Sequence, residues 1–198
     1  RAREIVRRVF SGAPETAEVI IKDVTLFWRD PAQWSQLVVL AALVVIYVFN
    51  FRQLRGEFPT FLLRDLLAFL NIGMAGFVLV AVANRFVFSS ISLEGRAFWI
   101  ISSSPASLFR IVWAKGLVAF FPLLLLAETI TLLTYYALGV SGRFLFVASA
   151  SILLMTISVT SLGLGLGMLY PRFDHRDPAE IGMSPAGLLF IAAGLTYI

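Results

Sequence analysis

Ser90-Ile-Ser-Leu-Glu-Gly-Arg-Ala-Phe-Trp-Ile-Ile-Ser-Ser-Ser-Pro105 is a charged, aromatic island between two long apolar runs. Residues 66–86 before it contain one ionisable side chain, Arg85. Residues 116–138 after it contain one carboxylate, Glu128. Runs of 20 or more apolar residues on both sides of a short polar segment are the pattern of two membrane spans joined by a water-facing connection. Composition agrees: 59% of residues are hydrophobic, 14% are charged and mean hydropathy is +0.88, whereas soluble domains carry about 25% charged residues. The expected class is an all-α polytopic bundle.

Working outward, five spans are expected, at about 35–51, 66–86, 115–138, 144–170 and 184–198. The domain organisation is an interfacial segment over 1–34 and a transmembrane domain over 35–198. Residues 15–29 place Val19, Ile20, Val24, Phe27 and Trp28 at helical spacing, interrupted by Lys22, Asp23 and Arg29. That is too charged to span and fits a helix lying in the interface, with Arg29, Asp30 and Trp34 as its anchor. The sequence opens without an apolar signal segment and closes within an apolar run, so it reads as a portion of a longer subunit.

Lysine and arginine set the orientation. Arg1, Arg3, Arg7, Arg8, Lys22 and Arg29 precede the first span, and Arg85, Arg96, Arg110, Lys115, Arg172 and Arg176 fall on the same side. Only Arg52, Arg55, Arg64 and Arg143 fall on the other. The positive-inside bias places the N-terminal segment, the island and the 171–183 loop in the cytosol. The net charge of +4 follows from these span-flanking residues, so no nucleic-acid partner is implied.

Several chemistries are excluded or weak. With no cysteine and one histidine, His175, neither a disulfide nor a multi-histidine metal site can form. No G-x-x-x-x-G-K-[ST] occurs, so this chain does not bind ATP through a Walker motif. Gly163, Gly165 and Gly167 lie within an apolar run and read as helix packing, not a phosphate loop. No intramembrane catalytic set is present. Glu128 is a carboxylate deep in a span, where charge is costly and marks function by default. With Thr129 and Asn71 it is a candidate for a translocation path. The island reads as a short helix with Glu94 and Arg96 presented to water and Phe98 and Trp99 alongside, either an interfacial anchor or a rod docking into a partner groove.

Three stretches resemble one family. Residues 22–36 (KDVTLFWRDPAQWSQ) are similar to the entry segment of type-2 permeases of bacterial ABC exporters. Residues 92–99 (SLEGRAFW), followed by Ser104-Pro105, resemble the cytosolic loop between their second and third spans. Residues 178–184 (PAEIGMS) resemble a later loop. The serine run at 102–104 departs from the pattern where a basic or bulky residue is expected. The resemblance implies a permease subunit in a bacterial inner membrane, multi-pass, with a separate ATPase chain carrying ATP and Mg²⁺ and a second permease half or an identical copy beside it. It makes Glu94, Gly95, Arg96, Phe98, Trp99 and Pro105 the ATPase contact and Asp174, Arg176 and Glu180 a second one. The residues alone leave open a gradient-driven transporter using Glu128 and a non-transporting assembly subunit.

Overall fold

A computed structural model describes residues 2–10, 12, 14–29, 31, 38, 41, 42, 44–46, 49, 61–95, 103, 107–139, 142–174 and 177–198. Among them the chain is helical throughout, with no strand. Helices α1 (Ala2–Val9) and α2 (Pro14–Arg29) come first. Helix α3 (Phe61–Ala83) runs through a π-helical turn (Asn84–Phe88) into α4 (Ser89–Ser92). Then follow α5 (Leu108–Leu138), α6 (Gly142–Leu169), the short α7 (Pro178–Gly182) and α8 (Pro185–Tyr197). Of the expected first span, only 38, 41, 42, 44–46 and 49 are described, as helical, and Val44 packs on the core.

Three of these helices are long and apolar enough to cross a membrane: Leu66–Ser92, Leu108–Leu138 and Gly142–Leu169. The first two exceed their sequence-expected bounds of 66–86 and 115–138, for a physical reason. At about 1.5 Å per residue, 31 residues reach about 46 Å, well beyond a hydrocarbon core of about 30 Å. The surplus turns of α5, residues 108–114, hold Arg110, which a span rule cuts off; it and Lys115, the first expected span residue, are both paired with acids from α2. Ser107 starts the helix by accepting a hydrogen bond from the Arg110 backbone N–H. Gly139 ends it at φ 62°, donating to the Tyr135 and Tyr136 carbonyls at 2.9 and 3.2 Å, a left-handed cap open to glycine. The last apolar run forms α8 over 13 residues, Ser184 accepting from the Gly187 N–H.

The long helices run up, down and up. The Tyr135 hydroxyl donates to the Ala68 carbonyl at 3.0 Å, and Lys115 at the far end of α5 reaches the Ser90 carbonyl, so α3 and α5 are antiparallel. The core between them is Leu79, Val80, Val87, Phe88, Ile130, Ile152, Val159, Ile181 and Phe190, all fully buried. Large apolar side chains such as Phe121, Leu125, Tyr136, Phe146 and Leu154 point outward, as a lipid-facing surface allows.

Glycines set how closely α6 and α8 approach α3. A Cβ on Gly167 would lie 2.6 Å from the Phe88 carbonyl oxygen, and one on Gly163 would press on Val87 and Phe190. Gly165 faces open space. The helix-packing reading of the glycine run therefore holds for Gly163 and Gly167, four residues apart on one face.

Candidate functional site, an ionic joint at one end of the bundle

Four charged side chains from three elements meet where α4 ends, α5 begins and α2 crosses them. The Lys115 Nζ lies 2.6 Å from Glu94 Oε1 and 3.3 Å from Asp23 Oδ2. It also donates to the Ser90 carbonyl at 3.5 Å. An ammonium has three donors and no acceptor, and here each donor has a partner. One of them is a carbonyl at the C-terminal end of α4, where the helix dipole favours a cation. Lys22 Nζ shares the same Glu94 oxygen at 2.6 Å and reaches Asp23 Oδ1 at 3.3 Å.

The four groups differ in exposure. The Lys115 side chain is 7% exposed, Glu94 13%, Asp23 16% and Lys22 38%. Lys115 is therefore the buried keystone and Lys22 the water-facing member. Burial alone would favour neutral Glu94, but the Lys115 charge and hydrogen bonds from Lys115 and Lys22 outweigh it and hold the carboxyl below its ordinary value. Burial likewise opposes a charged Lys22, yet the hydrogen bond to Glu94 and the charges of Asp23 and Glu94 hold its pKa above 10.5. Both remain charged at neutral pH.

Local sequence builds this joint. Ile20, Ala17 and Thr16 bury one face of α2 against α5, which brings Lys22 and Asp23 over the end of the bundle. Glu15 on α2 pairs with Arg110 of α5 at 3.3 Å. After Ser92 the helix stops: Leu93 and Glu94 form a turn and Gly95 adopts φ +54°, in the left-handed region where a Cβ is strained. The island thus begins as the end of a span and breaks at Gly95, instead of continuing as one amphipathic helix. The expectation that Glu94 presents its charge to water is corrected: two lysines hold it inside the joint.

Behind the joint, the π-turn packs on α7. Asn84 Nδ2 donates to the Gly182 carbonyl at 3.1 Å, Ser89 Oγ to the Arg85 carbonyl and Ser90 Oγ to the Val87 carbonyl at 2.6 Å. Such turns inside α-helices recur at functional sites. The Arg172 backbone N–H donates to Ser92 Oγ at 3.0 Å, so the start of the loop after α6 lies beside the island's first residues. Asp177 is spent as the N-cap of α7, accepting from the Ala179 N–H at 2.9 Å.

The other sequence-expected residues fall as follows. Gly95 is at the break. Arg96, Phe98, Trp99, Pro105, Arg176, Asp30 and Trp34 lie outside the described residues. Asp174, Glu180 and Arg29 are exposed. Asn71 is fully buried on α3, Glu128 is half-buried on α5, and Thr129 is exposed with its hydroxyl on its own Leu125 carbonyl. Thr129 therefore faces away from the interior that Asn71 occupies. The sequence reading missed Lys22, Asp23 and Lys115 as a set. The signal was there: a lysine at the head of an apolar run needs carboxylates, and Asp23 and Glu94 are acids on the same side.

These features define a helical protein with, among the described residues, three helices of membrane-spanning length, closed at one end by a buried ionic joint. The chain belongs to the family described as "Putative ATP-binding cassette", which matches residues 1–198. No curated protein and no solved structure matches it. The family is described as the cassette itself, and this overturns the reading of the chain as the permease subunit of an exporter. The coarser assignment to an ATP-binding cassette system stands, and with it the expectation of partners from such a system.

Proposed function

We propose that residues 1–198 form a membrane-embedded helical part of an ATP-binding cassette system, and that ATP and Mg²⁺ bind outside these residues. The carrying observation is the set of three apolar helices of 27, 31 and 28 residues, within a chain that has no phosphate-loop sequence. The basic bias at the joint end supports a cytosolic placement of that end. There, the exposed Asp174 and Glu180 face the nucleotide-binding part of the system. The ionic joint ties α2 to the ends of two spans.

Photo-crosslinking with an azido-ATP analogue in membranes holding the assembled system tests this. Label mapped by peptide sequencing is expected only outside residues 1–198. Label on any of these residues that excess ATP competes away would place a nucleotide site here and refute the proposal.

A further inference from the structure

The joint divides unevenly between the elements that make it. Lys22 and Asp23 are neighbours on α2 and pair with each other at 3.3 Å. Glu94 and Lys115 both belong to the bundle and pair at 2.6 Å. Each side of the seam is therefore internally neutral. A buried ion pair split by removing one partner leaves an uncompensated charge, which is why such pairs resist opening. Here the split along the seam leaves none: each half retains a cation and an anion in contact.

Along the rest of the seam α2 packs on α5, with Ile20, Ala17 and Thr16 buried and Val19, Ile21 and Phe27 half-buried. Glu15–Arg110 adds an exposed pair, the kind that contributes little. Helix α1 packs on α2, with the exposed Arg7–Glu18 pair between them at 2.8 Å. The bundle beneath keeps its own contacts, including Lys115 to the Ser90 carbonyl.

We infer that α1–α2 is a detachable strap, which lifts from the bundle along the seam between the Lys22–Asp23 and Glu94–Lys115 pairs. Seated, it bridges the end of α4 to the start of α5 and holds Glu94 from both sides. Lifted, it leaves Glu94 on Lys115 alone. The strap follows from the charge division and burial alone and stands whether or not the chain works in a cassette system.

Thiol labelling tests it. The 198 residues contain no cysteine, so a maleimide on an introduced thiol is assignable by peptide mapping in the full-length protein. Ala17→Cys reports the strap's buried face, and Ile181→Cys, buried on α7, reports the bundle. Lys22→Glu sets like charges across the seam and is expected to raise labelling at position 17 by about tenfold or more. Lys22→Gln is expected to give a smaller rise. In both, position 181 stays protected. Combining Lys22→Glu with Glu94→Lys leaves a doubly negative strap on a doubly positive bundle, and labelling at position 17 is expected to fall to the parent rate or below. Three results would each overturn the strap: no rise at position 17 in either single variant, positions 17 and 181 rising together in Lys22→Gln, or the swapped pair labelling as fast as Lys22→Glu.

Discussion

Lys115→Met separates the two basic residues at the head of α5, which the sequence alone treats alike. Methionine keeps the length and apolar stem and deletes the ammonium. Lys115 is almost fully buried and gives its three donors to Glu94, Asp23 and the Ser90 carbonyl. Its removal leaves two carboxylates sharing Lys22 alone, plus a carbonyl without its donor. Breaking a buried pair by deleting one partner costs about 3–5 kcal/mol, and the remaining Lys22 puts the loss near the lower end, about 3 kcal/mol. For a chain of this size that is a fall in Tm of about 6–12 °C. Arg110→Met removes a pair whose members are largely in water and is expected to lose under about 1 kcal/mol. Thermal unfolding in detergent, followed by intrinsic fluorescence with both variants beside the parent, measures the contrast. Equal Tm values for the two variants, or Lys115→Met within about 2 °C of the parent, would refute the keystone role.

Gly167→Ala forces a Cβ to 2.6 Å from the Phe88 carbonyl and is expected to cost about 1–3 kcal/mol. Gly165→Ala, two residues away and facing open space, is expected to hold or gain stability; paired melting curves read both. Gly95→Ala strains a left-handed residue, φ +54°, by about 1–2 kcal/mol, detectable as faster protease nicking after residue 95. The joint also fixes a pH window. Glu94 has a lowered folded pKa, so its contribution is present above the unfolded carboxylate value and is lost as pH falls through the folded one. Lys22 has a raised folded pKa, so its contribution is complete below 10.5 and is lost only as pH rises through the still higher folded value. Tm against pH is expected to be flat between about 5 and 10, and the acid-side fall is expected to weaken in Glu94→Gln.

The apolar runs were legible because hydropathy reports directly on lipid-compatible helices; the three long helices stand where the runs are. Their ends were not, because a residue's charge does not reveal whether it is paired. Arg110 looks like the polar flank of a span that starts at Lys115, yet acids from α2 let the helix run through both. The π-turn at Asn84–Phe88 was also hidden, since no residue type in Asn-Arg-Phe-Val-Phe demands it; its fit to Gly167 and Gly182 is tertiary. Gly163 and Gly167 were legible as packing because small residues four apart share a face whatever they meet. Glu94 was misread for the opposite reason. In sequence it is an acid in a polar loop, and only the fold brings Lys22, 72 residues away, onto it.

The long helices are expected to cross a membrane with the joint at one side. Single-cysteine labelling in sealed vesicles addresses it most directly, using Gly142→Cys, at the turn between α5 and α6, and Asp174→Cys, just past the other end of α6. A membrane-impermeant maleimide is expected to label these two positions from opposite sides, with the preference reversing between right-side-out and inverted vesicles. Labelling of both from the same side would contradict a spanning bundle.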